Sequence, residues 1–209
     1  MPNFKEKLTH PIFNIVSTVA AQMGIDAYVV GGFVRDLILG RKTNDIDIMC
    51  VGSGIELAQN VHNYLGKAGK VEQYSAFGTA MLNYNGEKIE FAGARKESYN
   101  RDSRNPIVED GELDDDLSRR DFTVNAMAIS LNNNDFGELI DHYNGYEDLR
   151  DGILITPLDP DITFSDDPLR MYRAVRFSAQ LYFDLDLETI DAIKRNAYRV
   201  EILKQERIT

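Results

Sequence analysis

Apolar residues return at helical spacing early in the chain. Ile12, Ile15, Val16, Val19, Ala20 and Met23 form one stripe, bounded by Thr9 as an N-cap close to Pro11 and by Gly24 as a stop. The period then shortens. Residues 28–30 read as a buried strand ending at Gly31-Gly32, residues 33–39 as a brief helix, and residues 45–51 as a second strand. Ile55, Leu57, Ala58, Val61 and Leu65 mark another amphipathic helix over roughly 55–65. Residues 79–93 alternate on both sides of Asn85-Gly86, a pair suited to a type I′ turn. They predict a β-hairpin whose second arm turns Ile89 and Phe91 one way and Glu90 the other.

Residues 95–116 are polar, carry Pro106 and Gly111, and read as a long loop of the kind that is functional or mobile. A helix is expected over roughly 117–127, followed by short strands near 127–131 and 137–141. From about residue 150 the pattern is helical. Ser165 reads as the cap of a helix running to about Leu181, and helical spacing continues over 187–196 and 198–206.

Composition narrows the class. At 209 residues the chain has room for one generous domain, or one domain and part of a second. No apolar run approaches the roughly 18 residues of a membrane span, and the start of the chain lacks the apolar core of a signal peptide. A lone cysteine, Cys50, closes a buried strand and excludes an intramolecular disulfide framework, which points to the cytoplasm. The net charge of −11 argues against a broad, non-specific nucleic-acid surface. Six of the eight residues from 109 to 116 are acidic, and they read as a solvated loop.

The chemistry concentrates in a few places. Asp45 and Asp47 lie two apart on a strand, so both carboxylates face one way while Ile46 and Ile48 face the core. Like charges held that close repel and raise one another's pKa unless a cation sits between them. Just upstream, Gly31-Gly32 opens a helix that carries Arg35 and Asp36, a layout suited to phosphate beside a metal ion. No P-loop motif is present. Glu90 is either a third carboxylate beside Asp45 and Asp47 or an outward strand residue. Arg119-Arg120-Asp121, with Asn125 four residues beyond Asp121, suits triphosphate and ribose hydroxyls or else a structural ion-pair knot. On the helix after Ser165, Asp167, Arg170, Arg173 and Arg176 follow one another by single turns. That face carries surplus positive charge for an anion or a base edge, while Leu169, Tyr172 and Phe177 lie off it and are free to pack.

Three motifs in order resemble those of the class II CCA-adding enzymes and related bacterial poly(A) polymerases: Gly31-Gly32-x-x-Arg35-Asp36 with Asp45-x-Asp47, residues 119–126, and residues 166–177. The likeness spans roughly residues 12–209. It implies an α+β fold, in which a nucleotidyltransferase head with a small mixed sheet flanked by helices (1–148) precedes an all-α neck (149–209). It implies template-independent addition of CCA to tRNA 3′ ends from CTP and ATP, with poly(A) synthesis, partial CC- or A-addition, or an inactive nucleotide-binding fragment as alternatives. Asp45 and Asp47 are then ligands of Mg²⁺, with Glu90 helping at the attacking hydroxyl. Gly31, Gly32, Arg35, Arg120, Asp121, Asn125, Arg173 and Arg176 serve the nucleotide, and Asp167 and Arg170 read its base edge. The implied partner is the 3′ end of tRNA, with no DNA and no membrane. Residues 95–106 correspond to the family's flexible loop. Two departures stand out: the template motif begins Asp166-Asp167 where Glu-Asp is common, and the chain ends within what resembles the neck, as a fragment would.

Overall fold

The computed structural model describes residues 2–43, 45–98 and 107–203. Helix α1 spans Pro11–Met23. Its cap is His10 and not Thr9: with Pro11 locked at the first helical position, the His10 ring accepts the Ile12 N–H at 3.1 Å. Gly24 ends the helix in the left-handed conformation, as expected. Strand β1 (Ala27–Val30), helix α2 (Gly32–Ile38), strand β2 (Asp45–Cys50) and helix α3 (Gly54–Tyr64) follow close to their expected places.

Strand β3 (Lys70–Tyr74) carries no clear apolar alternation and went unexpected. It pairs antiparallel with β4 (Thr79–Tyr84), which forms the expected hairpin with β5 (Glu87–Gly93). Asn85 and Gly86 both have positive φ, 53° and 85°, as a type I′ turn requires. The long loop foreseen over 95–116 is a correction. Residues Arg95–Ser98 (β6) and Ile107–Asp110 (β7) form a two-stranded ribbon, and residues 99–106, which hold the rest of the foreseen flexible loop, lie outside the described residues.

A second correction concerns the acidic run. Helix α4 spans Leu113–Ser118, so the foreseen helix over 117–127 begins earlier and stops sooner. The chain then runs irregularly to a short 3-10 turn at Thr123–Asn125. Asp116 is not solvated: only 2% of it is exposed, and its carboxylate receives Arg119 and Arg120. Burial alone pushes its carboxyl up, but the two guanidiniums outweigh that and hold it below the ordinary range.

Strands β8 (Ala128–Ser130) and β9 (Leu139–Ile140) complete a seven-stranded sheet ordered β3-β4-β5-β2-β1-β8-β9. Every neighbouring pair is antiparallel except β2 with β5. Alternation along the central strands separates two faces. Val29, Ile46, Ile48, Ile89 and Phe91 join the main core with α1 and α3. Tyr28, Val30 and Met49 turn to the other face, where Leu117 of α4 covers them.

The C-terminal region holds α5 (Gly145–Asp151), α6 (Pro160–Asp166), α7 (Leu169–Leu181) and α8 (Leu187–Asn196), then a 3-10 segment at Ala197–Ile202. It is not purely helical, since β10 (Ile153–Leu154) and β11 (Asp184–Leu185) form a short parallel ladder. Ser165 caps nothing. It sits inside α6, and the Asp167 side chain accepts the Leu169 N–H at the start of α7. Leu154, Ala174, Phe177 and Leu181 belong to the same core as the sheet's apolar face, so α7 is seated firmly against it. Among the described residues no helix is long and apolar enough to cross a membrane.

Replacing Asp116 by Asn removes the charge that both guanidiniums share, leaving Arg119 with Glu97 and taking the carboxylate partner from Arg120. The expected loss is about 2–4 kcal/mol at pH 7 by urea unfolding, discounted because both arginines are partly exposed. Because the Asp116 pKa is depressed, its contribution is present above the unfolded value and vanishes as pH falls through the folded one. Wild type and D116N therefore converge in acid.

Candidate functional site

The carboxylates of Asp45 and Asp47 stand on the face of β2 opposite the main core, because Ile46 and Ile48 claim the other face. Parallel pairing sets Glu90 of β5 directly beside Asp47. The Asp47 carboxyl is pushed up to about 6, first by burial, then by Glu90, with Arg120 pulling it down and Asp45 adding to the rise. Two of its carboxylate neighbours thus work against its charge. Among the described residues no group of three or more His, Cys, Asp or Glu side chains closes into a ready metal cage. Glu90 flanks Asp47 on the neighbouring strand.

The turn at Gly31 brings these acids against an arginine. Gly31 has φ +70°, and a Cβ there would lie 2.7 Å from Arg120 Nη1 and 3.8 Å from Asp47 Oδ2. Only glycine meets both demands, left-handed backbone and bare approach. Its N–H already donates to the Met127 carbonyl at 3.3 Å, so Gly31 is not the free phosphate donor the sequence suggested. The N–H groups of Gly32 and Phe33 open α2 and have no intrahelical partner. Arg120 itself is fixed by Asp116 Oδ2, at 2.8 and 3.2 Å, and by the Asn125 carbonyl at 3.3 Å.

Arg35 is almost fully buried and forms a bidentate pair with Asp36, at 2.9 and 3.0 Å. It also donates to Asn125 Oδ1 at 2.8 Å. Asn125 in turn donates to Asp121 Oδ1 at 3.1 Å, and Asp121 Oδ2 accepts Arg173 Nε at 2.6 Å. Asp121 and Asn125 thus join α2 to α7 through a network of hydrogen bonds and one ion pair. Arg170 donates to the Arg119 carbonyl at 2.6 Å, the one side-chain hydrogen bond it makes among the described residues.

All these groups meet in one cleft of about 710 Å³. It takes in Gly31, Gly32, Arg35, Asp45, Asp47, Arg120, Asp121 and Asn125, together with Asp167, Arg170, Arg173 and Arg176 from α7. Glu90 is the exception. It borders a smaller adjoining cavity shared with Asp47 and Arg120. Six arginines and five aspartates line the main cleft, a dense cationic share for a chain of net charge −11. Such a cleft suits a polyanion that arrives with its own cation.

The sequence reading missed Asp116 and the cleft-lining Thr43 and Gln180. The spacing of Asp116 to Arg119 and Arg120, three and four residues on a helix, was the available signal for Asp116. Thr43 and Gln180 carry no such mark. Tyr172, expected to pack, is 39% exposed, whereas Phe177 is buried at the cleft wall.

Residues 27–155 match the model of the poly(A) polymerase head domain. The chain is 44% identical over 179 residues to the A-adding tRNA nucleotidyltransferase of Aquifex aeolicus, covering 86% of this chain and 21% of that protein. It is 40% identical over 187 residues to the CCA-adding enzyme of Lactobacillus helveticus, covering 88% of this chain and 44% of that one. Among solved structures, a tRNA nucleotidyltransferase complexed with a primer tRNA and an incoming ATP analog superposes with a TM-score of 0.80 at 38% identity, over 92% of this chain and 53% of that chain. The chain thus spans about half or less of the length of these relatives.

Asp47 carries the clearest pH signature. Its folded pKa lies above the ordinary 3.8, so ionisation opposes folding. D47N is expected to be more stable than wild type at pH 7.5 by up to about 3 kcal/mol. The gap opens between about pH 4 and 6 and closes in acid, where the carboxyl is protonated in both states. Denaturant unfolding across that range reads it directly, and equal stability at all pH values would contradict the assignment.

Proposed function

This chain belongs to the poly(A) polymerase head-domain family, and on that premise we propose that it handles the nucleotide in a template-independent RNA nucleotidyltransferase. The reaction is attack of an RNA 3′-hydroxyl on the α-phosphorus of CTP or ATP with loss of pyrophosphate, which adds CCA to tRNA 3′ ends. The observation that carries this reading is the meeting of Asp45 and Asp47 with the arginine face of α7 in one cleft. The site fits a hard divalent ion. Two carboxylates point one way, and Asp47 is held at a raised pKa first by burial and then by the like charges of Glu90 and Asp45. Asp45 and Asp47 would hold Mg²⁺, which when bound supplies charge neutralisation at the triphosphate and an activated hydroxyl.

The protein's own groups do the rest. Arg35, Arg120, Arg173 and Arg176 bind phosphate oxygens, and the N–H of Gly32, which has no partner within α2, adds a donor. Arg170 and Asp167 present the donors and acceptors for a base edge, with Arg170 steadied by the Arg119 carbonyl. Glu90 acts from beside Asp47 on the attacking hydroxyl. Residues 1–148 form the head and residues 149–209 the neck of this scheme, and a cytoplasmic setting suits it. The implied partner is a tRNA 3′ end. A second reading, addition of A alone, is favoured by the similarity to an A-adding relative.

Incubation with tRNAs ending before CCA or after CC, each with CTP or ATP alone, separates the readings. CTP incorporation removes the A-only enzyme, and absence of any incorporation by the intact gene product removes both. Asp45→Ala and Asp47→Ala are expected to reduce incorporation to background while leaving the fold intact. They are also expected to lose the rise in melting temperature that Mg²⁺ gives the wild type. Arg170→Ala is expected to blur selection among CTP, ATP and UTP more than it weakens triphosphate binding; unchanged selectivity counts against base reading by α7.

A further inference from the structure

Phe177 has three guanidiniums around its ring. The Cζ atoms of Arg35, Arg173 and Arg176 lie over it at 5.3, 4.9 and 5.3 Å from the centroid. All three distances fall within cation–π range. Two of these arginines share α7 with the ring, while Arg35 reaches it from α2. We infer that Phe177 is a positioning residue: its ring seats these three arginines so that they meet a triphosphate together. The inference deepens the nucleotide-binding reading above and rests on it.

The three arginines are held to different degrees. Arg35 is gripped by Asp36 and Asn125, and Arg173 by Asp121. Arg176 makes no hydrogen bond or ion pair among the described residues, so the ring is its one directional contact. Three positive charges gathered around a common point repel one another, and a long flexible side chain escapes that repulsion by swinging into water. The electron-rich ring opposes the escape without neutralising the charge, as an aspartate would. The three guanidiniums stay near one another before the anion arrives, Arg35 and Arg173 held by their aspartates and Arg176 by the ring, which lowers the ordering cost of binding. The ring cannot easily turn away. It is 6% exposed and stands edge-on to Phe122, with centroids 6.1 Å apart at 87°.

An aliphatic side chain of similar size would fill the same space, so the claim concerns the ring's electrons and not its volume. The test replaces Phe177 by mono-, di- and trifluorophenylalanine, which drain the ring's negative face with little change in shape. A Leu variant alone would confuse packing loss with loss of the cation contact. Binding of ATP and of inorganic triphosphate is measured by calorimetry, with melting temperature as the packing control. The expected result is a stepwise rise in Kd for both ligands, reaching about 5- to 10-fold, at nearly constant melting temperature. The rise is expected to shrink in an Arg176→Gln background, where one cation is gone. A wild type that binds ATP, with a Kd that stays flat along the series, would overturn the role of the ring alone. A wild type that binds neither ATP nor triphosphate would overturn the nucleotide reading, and the inference with it.

Discussion

Arg120 pressed against the Gly31 turn is the contact on which the rest of the cleft depends. The turn leaves no room for a Cβ, with the guanidinium nitrogen 2.7 Å from where that atom would stand. Asp116, buried on α4, and the Asn125 carbonyl together fix Arg120. The result is a cation set between the start of α2 and the carboxylates of β2. It partly offsets the repulsion that burial and Glu90 impose on Asp47. A side chain at position 31 would move Arg120, and with it the balance of charge at Asp47.

From that contact a chain of polar groups runs to α7. Asn125 accepts from Arg35 and donates to Asp121, whose second oxygen holds Arg173. Each buried member is satisfied by its neighbour, which is the condition under which a polar network inside a protein specifies one arrangement. The same run of residues contributes the Arg119 carbonyl that steadies Arg170. The helix proposed to read the base and the central strand proposed to hold the metal are thus parts of one fixed frame. Phe177 closes it on the far side, in the core by its body and in the cleft by its face.

Much of the sheet was legible because its strands obey simple rules. Ile46 and Ile48 alternate with Asp45 and Asp47, and Asn85-Gly86 demands the turn that joins β4 to β5. Where local pattern and tertiary demand diverged, reading failed. Strand β3 has a half-polar surface and owes its place to pairing with β4. The acidic run looked solvated because charge usually is; Asp116 is buried only because two arginines three and four residues on fold back over it. Ser165 had the chemistry of a cap, but Pro160 starts a separate helix and Asp167 takes the capping role.

The sequence by itself determined which residues bear the chemistry. Period-two spacing aligns Asp45 with Asp47, and helical spacing aligns Asp167, Arg170, Arg173 and Arg176, whatever the surrounding fold. What only the tertiary structure decided is which of these groups share a space and which are already occupied. The parallel pairing of β2 with β5 sets Glu90 beside Asp47 but outside the main cleft. Packing of α7 on the core turns Phe177 from a spare apolar residue into the ring beneath three arginines. Those outcomes depend on contacts between residues up to about 140 positions apart, as between Arg35 and Phe177. Local periodicity carries no information about such contacts, because it describes the direction of a side chain and not what it will meet.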